Sequence, residues 1–153
     1  MGEINNCILP DELYYWVQNN VWVRVMEDRT VQCGMTDIAQ TMAGTLIHCR
    51  PRQVGKEIKK AKSLATVESG KWVGPVKSPI AGTVVQANSE VEADPTILNR
   101  SPYTDGWLVR LQPVDLDTDL ADLVWGQEAI DGFRAYMEDK SLGDCVHCEG
   151  FTG

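Results

Sequence analysis

The chain has 153 residues and a formal net charge of −8, and 43% of its residues are hydrophobic against 24% charged. These values are typical of a folded, single-domain protein and exclude a disordered chain. The acidic excess works against binding of nucleic acid, whose phosphates attract lysine and arginine. The longest apolar stretches, Trp22 to Met26 and Leu120 to Trp125, are too short to span a bilayer. We therefore expect no nucleic-acid partner and no membrane association.

The amino terminus and the cysteines indicate the compartment. The segment MGEINNCILPDEL carries acidic residues where a secretory signal is basic, and no apolar run follows it. Five cysteines is an odd number, which argues against a disulfide framework. We expect a cytoplasmic protein with reduced thiols, in which Cys7, Cys33 and Cys49 are small buried apolar residues.

In chain order, the first predicted elements are a hairpin and a short helix. The segment Tyr14 to Val25, YYWVQNNVWVRV, predicts two strands joined at Asn19-Asn20, because asparagine tolerates a positive φ. Thr36-Asp37 is a typical helix start and Gly44 a typical stop, so a helix of about two turns is expected between them. The next piece, TLIHCR, predicts a strand that ends at a turn over residues 51–55.

Two β-compatible segments, SLATVES and GTVVQAN, follow along the chain. The stretch between them, Gly70 to Pro75, is bounded by glycine and proline, which mark turns. A turn between two such segments predicts a hairpin with Lys71 near its tip. Lysines at loop tips are commonly just solvated, so position alone gives Lys71 no function.

The last third of the chain is predicted to be mainly helical. Asp94-Pro95 predicts the start of a short helix, and Gly106 to Leu111, GWLVRL, predicts a final strand. From Asp115 to Lys140 the apolar spacing is typical of an amphipathic helix, with a break or kink at Gly126 and Gly132. Its many carboxylates indicate a solvated face or a docking surface for basic partners.

The final residues carry the sequence Cys145-Val146-His147-Cys148, the spacing of a redox pair or of half a zinc site. A zinc site needs more ligands, and the chain has no second C-x-x-C motif. We expect residues 1–144 to form the domain and the glycine-rich residues 145–153 to form a flexible tail. A thiol oxidoreductase that uses Cys145 and Cys148 and an unmodified interaction domain are two open classes of function.

Three motifs occur in a set order. Residues 34–40 read GMTDIAQ, residues 67–71 read VESGK with SPIAGTVV after them, and residues 99–108 read NRSPYTDGWL. These motifs resemble the H-proteins of the glycine cleavage system, in which the central pattern is Val-Glu-Ser-x-Lys followed by Pro-x-x-Gly-x-Val. The resemblance spans about residues 14–137.

The resemblance implies a mostly β fold, the barrel-sandwich hybrid of lipoyl and biotinyl domains, with antiparallel sheets, short flanking helices and a C-terminal helical region. It implies lipoic acid amide-linked to Lys71, with Glu68, Ser69, Gly70 and Trp72 flanking it as recognition residues for a lipoate-protein ligase or lipoyltransferase. Such an amide makes a long arm with a dithiolane that can be reduced and reoxidised. The protein would be a non-catalytic carrier with a swinging arm, without catalytic residues or a metal. Tail thiols that exchange with this arm are a further possibility.

The residues next to Lys71 depart from two related patterns. Biotin carriers have methionine on both sides of the lysine, whereas Gly70 and Trp72 stand there, so biotin is disfavoured. H-proteins have small and acidic residues after the lysine, whereas this chain continues WVGPVK. The variant resembles lipoate-binding proteins of microbial sulfur oxidation. We therefore predict a carrier of sulfur intermediates for a heterodisulfide reductase-like complex. The alternative is an aminomethyl carrier that serves glycine decarboxylase, aminomethyltransferase and dihydrolipoamide dehydrogenase.

Overall fold

The computed structural model describes residues 2–153, which form short strands with helices at their margins. The strands of these residues are β1 (Gly2–Ile4), β2 (Cys7–Leu9), β3 (Tyr14–Trp16), β4 (Val21–Val25), β5 (Val31–Met35), β6 (Leu46–Pro51), β7 (Glu57–Ile58), β8 (Ser63–Ser69), β9 (Val73–Lys77), β10 (Gly82–Ala87) and β11 (Val109–Pro113). The helices are α1 (Asp37–Ala43), α2 (Ser89–Ala93), α3 (Ile97–Arg100), α4 (Leu116–Leu120) and α5 (Gly126–Asp139), with a 3₁₀ turn at Val17–Asn19. None of the helices described is long and apolar enough to cross a bilayer.

The strands pair antiparallel in three sheets. Six strands in the order β3-β4-β5-β11-β10-β7 make the large sheet, and β6-β8-β9 make a three-stranded sheet. β1 and β2 form a separate hairpin. This arrangement confirms the predicted barrel-sandwich hybrid of the lipoyl and biotinyl type.

The core consists of aliphatic side chains from alternate strand positions, since successive residues of a strand face opposite sides of the sheet. Val31 and Cys33 of β5 and Val109 and Leu111 of β11 are all fully buried in the main cluster. A second buried cluster contains Trp22 and Tyr15 of the large sheet, Phe133 of α5 and other side chains. These two clusters support the sheets from which the β8-β9 hairpin projects.

The first hairpin and the first helix form where the sequence predicts them. Asn20 takes the left-handed conformation, with a φ of 54°, immediately before β4. The Thr36 hydroxyl accepts a hydrogen bond from the Ala39 N–H at 3.1 Å and caps α1. Gly44 ends this helix with a φ of 79°, a value that favours glycine.

The C-terminal helical region consists of two helices, α4 and α5, instead of the single kinked helix expected. Val124 between them is extended and bridges to Tyr15, with reciprocal N–H to carbonyl bonds of 2.8 and 3.1 Å. Gly126 begins α5 with a φ of 59°. Gly132 lies inside α5 without breaking it, and a Cβ atom there would lie 3.2 Å from Cγ2 of Val17. The sequence also does not predict β1, β2, β7 or α2. The segment expected as the turn after SLATVES contains the start of β9, which pairs with β8 in place of the predicted partner GTVVQAN.

The cysteine prediction is wrong at two positions. Cys7 and Cys145, which are 138 positions apart in sequence, form a disulfide, so these thiols are not reduced. Cys33 and Cys49 are buried free thiols, as expected, and Cys148 is exposed and free. Cys145 therefore does not pair with its C-x-x-C neighbour.

Residues 145–153 contain neither helix nor strand, yet they lie against the domain. The Thr152 N–H donates to the Arg100 carbonyl at 2.7 Å, and the hydroxyls of Thr152 and Ser101 are 2.8 Å apart. The sequence predicts a free tail, whereas the structure places the segment in contact with the body because of these bonds and the disulfide. The division of the chain at residue 144 stays a prediction.

Candidate functional site

Lys71 lies at the tip of the hairpin formed by β8 and β9. Ser69 closes the turn, since its N–H donates to the Trp72 carbonyl at 2.7 Å. The Ser69 hydroxyl also accepts a hydrogen bond from the Lys71 N–H at 3.3 Å. Ser69 is buried, whereas Gly70 and Lys71 are exposed. The backbone of the tip is therefore fixed while the lysine faces solvent.

Two of the predicted flanking residues are little constrained by the fold. Glu68 lies at the surface, where its Oε1 atom is 3.0 Å from Nδ1 of His48 on the neighbouring strand β6. A Cβ atom added to Gly70 would meet no other atom of residues 2–153 within 4 Å. Packing thus does not explain why glycine stands at position 70, and recognition roles for both residues stay predictions.

Trp72 folds back over its own hairpin. A Cβ atom on Gly74 would lie 2.6 Å from Cζ2 of Trp72, so the indole ring occupies the space over this glycine. The side chain remains 42% exposed, which leaves part of the ring for a partner. Trp72 therefore has both a packing contact and an accessible face, the two roles that aromatic residues favour.

The Lys71 side chain extends toward the end of α1. A Cβ atom on Gly44 would lie 3.3 Å from Cε and 3.9 Å from Nζ of Lys71. The carbonyl end of a helix carries partial negative charge, which attracts an ammonium group. Because Gly44 has no side chain, Lys71 can come close to the end of α1. The unmodified ammonium group is attracted there by the partial negative charge of the helix end.

A cleft of about 590 Å³ opens beside Lys71 and Trp72, between α1 and β9. This volume is within the range of small-molecule sites. Its apolar lining residues, apart from the aromatic Trp72 and Tyr136, are Met35, Ala39, Met42, Ala43, Pro75 and Val76. Its polar lining residues besides Lys71 are Gln18, Asn19, Asn20 and Lys77. An apolar acyl chain attached to Lys71 would fit the chemistry of this lining, and the exposed amine fits amide attachment.

Below Lys71, buried amide side chains bind the backbone at the end of α1, and we call this layer the floor of the lysine site. Asn99 donates through Nδ2 to the Gly44 carbonyl at 2.9 Å, and its Oδ1 accepts from the Leu46 N–H at 2.9 Å. Gln40 accepts from Asn99 at 3.1 Å and donates to Asp37 at 2.9 Å. Asn99, Gln40 and Asp37 belong to the first and third sequence motifs, whose roles sequence reasoning did not assign. The motifs themselves were the signal that these residues matter.

The network continues to the amino-terminal strands. The buried Tyr103 hydroxyl donates to the Ile8 carbonyl at 2.6 Å and accepts from the Asp37 N–H at 2.8 Å. Burial raises the pKa of Tyr103 well above its usual value, so the phenol keeps its donor proton. The Asp37 carboxylate, fully buried, accepts from the Ile8 N–H at 2.9 Å. Motif residues thus tie β2 to α1.

The remaining candidates do not converge on Lys71. Burial raises the pKa of Cys49 to about 12 and that of Cys33 further, so neither is a reactive thiolate. His48 is exposed on β6, where it pairs with Glu68. In the described part of the chain, no three His, Cys, Asp or Glu side chains cluster as a metal site would require.

Comparison with known proteins places the chain in a family. A family model described as "Glycine cleavage H-protein" matches residues 13–135, which include all three motifs and Lys71. The chain belongs to the glycine cleavage H-protein family. Members of this family are non-catalytic carriers that hold lipoate on a lysine.

Individual members of the family are similar to this protein in sequence along most of the chain. "Glycine cleavage system H protein 2" of Aquifex aeolicus is 45% identical, over 92% of this chain and 87% of the relative. "Probable glycine cleavage system H protein 2" of Sulfolobus acidocaldarius is 40% identical, over 90% of this chain and 93% of the relative. The crystal structure of a glycine cleavage system H protein from Mycobacterium marinum matches with a TM-score of 0.72 at 25% identity, over 88% of this chain and 100% of that one. These names give no support to the predicted sulfur-oxidation role.

Proposed function

We propose that the protein is a lipoyl carrier and that Lys71 is its attachment site. The observation that carries this proposal is the exposed Lys71 amine at the tip of a turn closed by Ser69, in a chain whose family holds lipoate on a lysine. Lys71 also occupies the lysine position of the Val-Glu-Ser-x-Lys motif. A carrier needs an anchor that is rigid in its backbone and accessible in its side chain, and this turn has both properties.

When bound, the lipoyl group supplies a dithiol that can be oxidised to a disulfide and reduced again. The chain's own residues provide its attachment and its surroundings. Amide formation removes the charge of Lys71 Nζ and with it the attraction to the carbonyl end of α1. Without that attraction, the side chain is held less tightly over Gly44. The apolar cleft beside Trp72 can exclude water from an attached acyl chain.

For the cargo, we favour the aminomethyl group derived from glycine. The similarity to glycine cleavage system H proteins supports this choice over sulfur. On this proposal the partners are glycine decarboxylase, aminomethyltransferase, dihydrolipoamide dehydrogenase and a lipoate-protein ligase or lipoyltransferase. The compartment we propose for these exchanges is the cytoplasm.

A sulfur cargo delivered to a heterodisulfide reductase-like complex is the second candidate. Two features of the hairpin favour it: the Trp72 ring over Gly74, and the exposed Lys77 where an acidic residue is usual. Both change the surface that a partner enzyme meets next to Lys71. Glu68, Ser69, Gly70 and Trp72 are our proposed recognition residues for the modifying enzyme under either cargo.

Expression with lipoate and a lipoate ligase tests the attachment. Intact mass spectrometry should show one lipoyl group on the wild type and none on Lys71→Arg. Lys77→Arg is the matched control, because Lys77 is also exposed and lies on the same hairpin; it should gain one lipoyl group. A lipoyl group on Lys71→Arg would contradict the proposal.

Reconstitution with each set of partners tests the cargo. Lipoylated protein with its arm oxidised is incubated with glycine and glycine decarboxylase, so that one sulfur of the opened dithiolane takes the aminomethyl group, the other becomes a thiol and CO2 leaves. Lipoylated protein with its arm reduced is incubated with thiosulfate and a heterodisulfide reductase-like complex, so that a thiol takes the sulfane sulfur and sulfite leaves. The mass of the Lys71 peptide is measured in each case. A gain of one aminomethyl group only with glycine supports our choice. A gain of sulfur only with thiosulfate would overturn it and establish the second candidate.

A further inference from the structure

The carboxy-terminal segment is bonded to the amino-terminal strands at one point, which we call the latch (residues 145–147). Cys145 is bonded to Cys7, and the two residues are 4% and 0% exposed. The Cys145 N–H donates to the Asn5 carbonyl at 2.9 Å, and Asn6 Nδ2 donates to the Cys145 carbonyl at 3.2 Å. The latch therefore joins both ends of the chain by one covalent bond and two hydrogen bonds.

The other two residues of the latch are bound to α1. Nε2 of His147 lies 2.6 Å from Oδ2 of Asp37, which is fully buried. The Val146 N–H donates to the Thr41 hydroxyl at 3.2 Å, and its carbonyl accepts from Gln40 at 2.9 Å. Three residues of α1 are thus held from outside by the latch.

The same helix forms the floor of the lysine site. Gln40, which binds the latch, also bonds to Asn99, which in turn bonds to the Gly44 carbonyl below Lys71. α1 has seven residues, so its two ends are only about 10 Å apart at 1.5 Å per residue. A change at the latch therefore acts on the helix that backs Lys71 and lines the cleft.

We propose that the Cys7–Cys145 disulfide is a redox-controlled switch that holds α1 below Lys71. A small dithiol opens it: the S–S bond breaks, both cysteines gain a proton and an electron to become thiols, and the dithiol is oxidised to its cyclic disulfide. The inference rests on the proposed function only in naming Lys71 as the site that is affected.

Opening loosens α1 because the latch then has no covalent bond and is held by hydrogen bonds and one ion pair alone. Without the disulfide, residues 145–147 depend on the His147 to Asp37 pair and on single hydrogen bonds to neighbouring backbone and side chains. A chain end without helix or strand separates readily from such contacts. Asp37 would then lose one of its partners, and the floor below Gly44 would become mobile.

Hydrogen exchange measured by mass spectrometry tests the switch. Oxidised protein and protein reduced with dithiothreitol are compared, and thiol alkylation confirms that Cys7 and Cys145 have opened. We expect the amides of α1 to exchange about fivefold faster after reduction, while those of β5 and β11 in the core stay unchanged. Lipoylation of Lys71 by the ligase should slow by about threefold, since a mobile floor leaves the acceptor less ordered.

Two serine variants separate the switch from general effects of reduction. Cys145→Ser should behave as reduced protein with or without dithiothreitol, and Cys148→Ser, which removes an exposed free thiol, should behave as wild type. Reduced wild type gives the answer even if Cys145→Ser does not fold. Unchanged exchange of α1 after confirmed reduction, or native protein that lacks the disulfide, overturns the inference. A chain that exchanges as expected but takes no lipoyl group contradicts the proposed function alone.

Discussion

The Lys71 hairpin and the carboxy-terminal segment are both surface segments, but they are held in different ways. At the hairpin tip the fixing bonds connect residues of the same turn, Ser69, Lys71 and Trp72. At the carboxy terminus the bonds reach across the whole chain, from Cys145 to Cys7 and from His147 to Asp37. The hairpin presents a side chain, while the carboxy terminus supports the helix underneath it.

This difference indicates a division of labour within the site. Local bonds keep the lysine backbone in place without covering its side chain, so an enzyme can reach the amine. Distant bonds stabilise α1, which contacts the lysine side chain and the cleft. We therefore expect variants at the hairpin to change recognition, and variants at the distant contacts to change stability.

The largest effect is expected at Asp37, where the distant contacts meet. Asp37→Ala leaves the Ile8 N–H, Gln40 and His147 without their buried acceptor. Removal of one partner of a buried, hydrogen-bonded charge typically costs about 3 kcal/mol, and the free energy of unfolding in urea should fall by that amount.

The matched control is Asp117→Ala. Asp117 is also in the first turn of a helix, α4, but it is exposed and pairs with Arg29 at the surface. Its urea midpoint should be nearly that of wild type, because exposed ion pairs contribute little. Equal losses in the two variants would mean that the buried network does not support the site.

An intermediate effect is expected at Gly74. In Gly74→Ala the new methyl group overlaps the Trp72 ring, which must swing outward, at a cost of about 1 kcal/mol from overpacking. Thermal unfolding and tryptophan fluorescence should both report the change. In a Trp72→Ala background the same substitution should cost nothing, and a cost that persists there would show that Trp72 is not the obstacle.

The smallest effect on stability is expected at Gly70. Gly70→Ala adds a methyl group into open space, so the free energy of unfolding should change by less than about 0.5 kcal/mol. Its kcat/KM as a substrate for the lipoate ligase should fall by about tenfold if the enzyme reads this position closely. Unchanged lipoylation kinetics would remove Gly70 from the recognition residues.

Much of the hairpin could be predicted from sequence because its determinants are local. Gly70 marks the turn, the β-compatible segment SLATVES leads into it, and the Val-Glu-Ser-x-Lys motif identifies Lys71. The second strand is predicted wrongly: it is β9, which includes Pro75, whereas GTVVQAN is β10 of the large sheet. The cap of α1 at Thr36 and its stop at Gly44 were likewise predicted from neighbouring residues. Elements that are determined by a few neighbouring residues can be predicted from the sequence.

The contacts that hold α1 below Lys71 could not be predicted, because the residues that form them lie far apart in sequence. Nothing near Cys7 indicates a bond to a cysteine 138 residues later. The aperiodic, glycine-rich tail predicts mobility, and only its contacts with Asp37 and Thr41 in three dimensions show otherwise. Similarly, the long helical pattern after Asp115 gives no sign that Val124 pairs with Tyr15 and divides it.

Peptide mapping of the wild-type protein after incubation with a lipoate ligase, lipoate and ATP tests the central claim most directly. The account predicts the mass of one lipoyl group on the peptide that contains Lys71 and on no other lysine peptide. An unmodified Lys71 after complete reaction of a known acceptor domain in the same mixture, or a lipoyl group on another lysine, would contradict it.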